Sequence, residues 1–154
     1  MKRLAKIIFI SISILLLSGC GSKKLITKCT LDSDQSASGY KLESVYNIYS
    51  TNGIVDSVKT KEVVTSKNNT ILSYFENILK SQYTKAGKAY GGYTFNVKKE
   101  DDKVTSEVTI DYNKMDLSKF VRDNASMKSY VNKSNKITLD GAKKIYESLG
   151  ATCK

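Results

Sequence analysis

The stretch Tyr40-Lys-Leu-Glu-Ser-Val-Tyr-Asn-Ile-Tyr49, Ser50-Thr-Asn-Gly53, Ile54-Val-Asp-Ser-Val-Lys-Thr-Lys-Glu-Val-Val-Thr65 reads as a β-hairpin, and that reading decides the fold. Both arms are rich in aromatic and β-branched residues, which suit a pleated, half-buried surface. Asn52-Gly53 is the strongest short hairpin signal, because a tight turn of the right twist needs positive φ at both central positions. Val55, Val58, Val63 and Val64 populate the return arm. Both faces carry apolar residues, so the pattern leaves the register open; a two-residue turn puts Tyr46 opposite Lys59. Tyr40, Tyr46 and Tyr49 are either a strip for stacking a ligand or half-buried sheet residues whose hydroxyls reach water.

C-terminal to the hairpin, residues 69–86 have helical spacing. Ile71, Leu72, Phe75, Ile78, Leu79 and Tyr83 fall on one stripe, with Glu76, Lys80, Lys85 and Lys88 away from it. Asn69 or Thr70 can cap the start and Gly87 suits the end. Tyr90-Gly-Gly-Tyr93 then bends into a second hairpin. Tyr93, Phe95 and Val97 alternate with polar residues, Glu100-Asp-Asp-Lys103 turns, and Val104, Val108 and Ile110 return. Asp116 can cap a short helix carrying Leu117, Phe120 and Val121. After a polar passage over residues 123–136, Thr138 caps a last helix with Leu139, Ala142, Ile145, Tyr146 and Leu149 inward, ended by Gly150. The expected fold is α+β: an antiparallel sheet built from two hairpins, covered by one long and two shorter α-helices.

The N-terminal side carries an address. Lys2, Arg3 and Lys6 precede an apolar run from Ile7 to Leu17, broken only by Ser11 and Ser13. The run is shorter than the ~20 apolar residues that span a bilayer, so it fits a secretory leader. Leu17-Ser-Gly-Cys20 follows as a lipobox, where cysteine is diacylated and the chain cut before it. The expected organisation is residues 1–19 as a removed signal peptide, 20–39 as a lipidated tether and 40–154 as one domain. Two or more acyl chains on Cys20 hold a protein stably on a membrane. The expected location is the extracytoplasmic face of a bacterial cell membrane.

Without the leader's Lys2, Arg3 and Lys6, 22 basic residues face 15 acidic ones, a balance of +7, and Arg122 is the one remaining arginine. Nucleic-acid binders concentrate charge and use arginine forks, so no nucleic-acid partner is expected. Dispersed lysines on an exported surface suit anionic lipid heads or acidic wall polymers, or a solvated surface with no partner. The chain has no His. That excludes Ser-His-Asp and Cys-His catalysis and His-based metal sites. Asp32-Ser-Asp34 resembles the start of a calcium loop, but the third ligand, turn glycine and closing glutamate are missing. No metal and no cofactor are expected.

Val108-Thr-Ile-Asp-Tyr-Asn-Lys-Met-Asp-Leu-Ser-Lys-Phe120 and Ile137-Thr-Leu-Asp-Gly-Ala-Lys-Lys-Ile-Tyr-Glu-Ser-Leu-Gly150 resemble the YehR-like family of small bacterial lipoproteins. Tyr90-Gly-Gly-Tyr93, the Asn52-Gly53 hairpin and the lipobox follow in the same order. Residues 90–150 carry the close match, and residues 123–136 depart from the pattern. The resemblance implies a small α+β lipoprotein domain and brings no catalytic residues.

With Cys20 taken by lipid, Cys29 and Cys153 remain as an even pair outside the cytoplasm. A disulfide there would tie the start of the domain to its end; two free thiols is the competing reading. No Cys-x-x-Cys pattern marks a redox enzyme. Glu43, Glu62, Asp111 and Glu147 are the carboxylates near apolar elements, and Asp111 comes first as an acid/base candidate, against capping a turn at a strand end. The leading expectation is a non-enzymatic interaction module whose partner is an envelope protein or an anionic envelope component. The alternative is a binding protein for an anionic polymer, lipid head group or small apolar ligand; hydrolysis and thiol redox chemistry come last.

Overall fold

The computed structural model describes residues 22–154; the leader and Cys20 lie outside the described residues. Six strands form one antiparallel sheet: β1 (Lys24–Gln35), β2 (Tyr40–Thr51), β3 (Ile54–Thr65), β4 (Tyr93–Lys99), β5 (Lys103–Asp111) and β6 (Thr152–Cys153), ordered β4-β5-β3-β2-β1-β6. Three helices, α1 (Asn69–Tyr90), α2 (Leu117–Asp123) and α3 (Leu139–Ser148), complete the α+β fold. The two expected hairpins are present, and β1 and β6 extend the sheet beyond them.

The expected tether over residues 20–39 is corrected by β1, which pairs with β2 along its whole length from Lys24↔Thr51 to Gln35↔Tyr40. Its inward residues include Thr27 and Cys29, both buried. Even before β1 begins, Lys23 is fixed: its carbonyl accepts from Asn52 N at 2.9 Å and its amide donates to Asn52 Oδ1 at 2.8 Å.

Asn52 and Gly53 both have positive φ, 52° and 77°, as the tight turn requires. The register differs from the simple expectation: Tyr46 faces Thr60, not Lys59, because a bulge interrupts the pairing between Tyr49↔Ser57 and Ser50↔Val55. The extra residue is Asp56. Its carboxylate accepts from Thr51 Oγ1 at 2.6 Å and its carbonyl from Tyr112 N at 2.9 Å, so the bulge is tied on both sides.

The bulge settles which residues face the helices. Ser44, Tyr46, Ile48 and Ser50 of β2 and Val58, Thr60 and Val64 of β3 are buried on one face. Two apolar clusters form there. Cys29, Tyr46, Ile48, Val58, Ile137 and Tyr146 pack under α3, and Leu72, Val97 and Val104 pack under α1. The cap of α1 is Asn68, one residue before the expected Asn69 or Thr70, its Oδ1 accepting from Thr70 N at 2.9 Å, and the helix runs past Gly87 to Tyr90. Thr138 caps α3 as expected, accepting from Gly141 N at 3.0 Å. Gly141 has no room for a side chain, since a Cβ there would lie 2.2 Å from the Tyr130 carbonyl oxygen. The polar passage contains a 3-10 turn, Ala125–Tyr130, rather than open loop.

Cys29 and Cys153 are joined by a disulfide, closing a sequence separation of 124 residues. They face each other across β1 and β6, flanked by Lys28 and Lys154, which exchange both backbone hydrogen bonds. The bond thus sits at a non-hydrogen-bonded pair, where antiparallel strands approach most closely.

Candidate functional site

Among the described residues the opposite face of the sheet is left uncovered by the helices. Strand pairing aligns Lys28, Asn47, Lys59, Thr109 and Thr94 in one row across five strands, and Thr30, Val45, Lys61, Glu107 and Asn96 in the next. A depression of about 400 Å³ lies here, lined by Asn47, Lys59, Lys61, Thr94, Asn96 and Thr109, with Glu107 also contributing. Lys61 reaches Glu107 at 3.9 Å. Lys59 sits 5.5 Å above the Tyr49 ring centre, and among the described residues Lys28 and Lys59 form no ion pair. The face therefore offers cationic donors beside amide and hydroxyl groups, a set that can bind phosphate or carboxylate through several hydrogen bonds.

The covered face holds a second polar group of residues, in the row Leu31, Ser44, Glu62, Ser106 and Val97. Glu62 Oε2 accepts from Tyr83 Oη at 2.7 Å and from Ser106 Oγ at 2.8 Å. Burial beneath α1, with the Glu62 charge beside it, pushes the Tyr83 hydroxyl well above the ordinary tyrosine range. Ser44 Oγ, next to Glu62 on β2, is buried and has no hydrogen-bond partner among the described residues. This row separates the two apolar clusters. With the Tyr83 and Ser106 hydroxyls both donating to Glu62, it fits structure better than chemistry.

Several of the other carboxylates are engaged locally. Glu43 pairs with Lys41 at 3.1 Å, and Lys41 also reaches Asp32 at 3.3 Å. Asp34 accepts from the Ser36 amide at 2.9 Å and from its hydroxyl, and those bonds lower its pKa. Asp111 is in the role of a strand-end cap: its carboxylate accepts from Asn113 N at 3.0 Å and pairs with Lys114 at 3.3 Å. Glu147 is exposed on α3. In the acidic turn, Glu100 sits between Lys98 at 2.8 Å and Lys103 at 3.0 Å, which bring its pKa down to about 2.

The three tyrosines do not form a strip. Tyr46 stacks on Tyr146 at 4.3 Å under the helices and Tyr40 meets Phe75 edge-on at 4.9 Å, whereas Tyr49 lies on the open face beneath Lys59. Lys59 and Lys61, two apart on a strand, carried a sequence signal for this face; Lys28 did not, because its strand went unrecognised.

No protein-family model matches the sequence, and no curated protein matches it. Among solved structures, the NMR structure of the Escherichia coli YehR protein aligns over 86% of this chain and 92% of that chain, with 14% identity and a TM-score of 0.54. The fold is YehR-like. A protein from Streptococcus pneumoniae TIGR4, also solved by NMR, aligns over 100% of this chain and 99% of that chain at 12% identity and a TM-score of 0.49. At 14% identity the likeness shows the fold alone, so the chemistry of this chain rests on its own residues.

Proposed function

We propose that this chain is a YehR-like lipoprotein, anchored through acyl chains on Cys20, whose uncovered sheet face binds an anionic polymer of the cell envelope. The observation that carries the binding reading is Lys28 and Lys59, without an ion pair among the described residues, flanking Asn47 beside the open depression. Their strands are two spacings apart, ~9.6 Å, a separation that suits successive charges along a chain better than one compact anion. The lipobox supports the anchor, and the Cys29–Cys153 bond is in keeping with a domain that matures outside the cytoplasm. Among the described residues no helix is long and apolar enough to cross a membrane, so attachment in this reading falls to the lipid. The reading is non-enzymatic: Glu43 and Asp111 are held in ion pairs and Glu62 is enclosed by hydroxyl donors.

The test is cosedimentation of the detergent-solubilised protein with isolated envelope polymer over a salt series. Binding should weaken steeply as salt rises, and the K28E/K59E/K61E variant should lose most of it even at low salt. Salt-independent binding, or wild-type binding by that variant, would refute the assignment of this face.

A further inference from the structure

We propose that the sheet end at the Asn52-Gly53 turn is a second membrane contact, seating the domain upright on an anionic phospholipid surface. The proposal rests on the Cys20 anchor. In the sequence only Gly21 and Ser22 separate that cysteine from Lys23, whose backbone is clamped to Asn52 in both directions. Three residue steps reach at most ~11 Å. An acylated Cys20 would therefore hold the turn and the start of β1 against the lipid head groups.

The residues at that end match such a surface. Lys23 and Lys24 are exposed, and they are followed by Leu25 and Ile26, 44% and 63% exposed. Successive strand residues point to opposite faces, so Leu25 and Ile26 straddle the edge of the sheet and can both dip among the head groups. Adjacent lysines supply attraction to anionic lipid. β6 pairs with β1 at Cys29 and Thr30, so among the described residues the outer edge over residues 24–27 is left open. The Lys28 amide points to that edge, bonding Lys154; by the two-residue period the amides of Lys24 and Ile26 point the same way. The turn end carries Asp56, whose carboxylate is held by Thr51, and the exposed Asp140. The opposite end carries Asp32, Asp34, Asp101 and Asp102 among its lysines, a less favourable approach to an anionic surface. Standing on its turn, the domain would keep its open lysine face clear of the bilayer.

The experiment is amide hydrogen exchange on the native lipidated protein in vesicles of phosphatidylcholine, with and without phosphatidylglycerol. The protein should pellet with both, and exchange at Lys24 and Ile26 should slow severalfold only on the anionic vesicles. The K23E/K24E variant should still pellet but lose that protection. Pelleting without protection, or protection unchanged in the variant, overturns the seat while leaving the anchor standing. Failure to pellet with neutral vesicles overturns the anchor, and with it the short connection on which the seat depends.

Discussion

Glu62 and Ser44 are neighbours on adjacent strands with opposite hydrogen-bonding circumstances. Glu62 satisfies two hydroxyls, whereas Ser44 Oγ is buried without a partner. Removing an acceptor strands its donors at ~1–3 kcal/mol each, while removing an unpaired hydroxyl costs little. Glu62→Ala should therefore lower unfolding free energy by about 2–4 kcal/mol, and Ser44→Ala should leave it unchanged or raise it slightly, as read from denaturant midpoints. Equal losses in the two variants would contradict the assigned network. Sequence could nominate Glu62 but not its role: Tyr83 reaches it across 21 residues and Ser106 across 44, separations that no local pattern encodes. Asp111 was legible in outline, since a carboxylate ending a strand two residues before Asn113 is a common turn-capping arrangement.

At the scale of elements, burial gathers tyrosines between the sheet and its helices. Tyr46, Tyr83, Tyr93, Tyr112 and Tyr146 all have raised pKa values, first of all because burial penalises the phenolate. The folded state therefore holds these protons more tightly than the unfolded chain. The resulting stability is fully present below the unfolded tyrosine pKa of about 10 and is lost as pH rises toward the folded values. Unfolding free energy should fall steeply above pH ~10, and Tyr83→Phe should make that fall shallower. A flat profile to pH ~11 would show that these rings are not enclosed. The strands also show where sequence reading stops. β2, β3, β4 and β5 announced themselves by alternation and turns. β1 did not, because Asp32-Ser-Asp-Gln35 is polar on both faces and an outer strand needs few apolar contacts; the alternation of Leu25, Thr27, Cys29 and Leu31 was the available signal. The Asp56 bulge was likewise invisible, and it alone moves Tyr46 from Lys59 to Thr60.

Across the whole molecule, the disulfide fixes the two-residue strand β6, and with it the C-terminus, to β1. Closing a loop of this length contributes about 2–4 kcal/mol, so reduction or Cys153→Ser should lower the denaturant midpoint accordingly and expose the outer edge of β1 to exchange. The open lysine face was only partly legible in sequence, since its rows assemble residues from five strands and depend on β1 being present. The proposed anchor rests on sequence alone, on one contiguous segment of charge, apolar run, small residues and cysteine. It is also the feature on which the extracytoplasmic setting, the envelope ligand and the upright pose all depend. The direct measurement is mass spectrometry of the N-terminal peptide from the protein isolated out of its native membrane. The account predicts a chain beginning at Cys20 and carrying a thioether-linked diacylglycerol; a chain retaining Met1, or beginning at an unmodified Cys20, would contradict it.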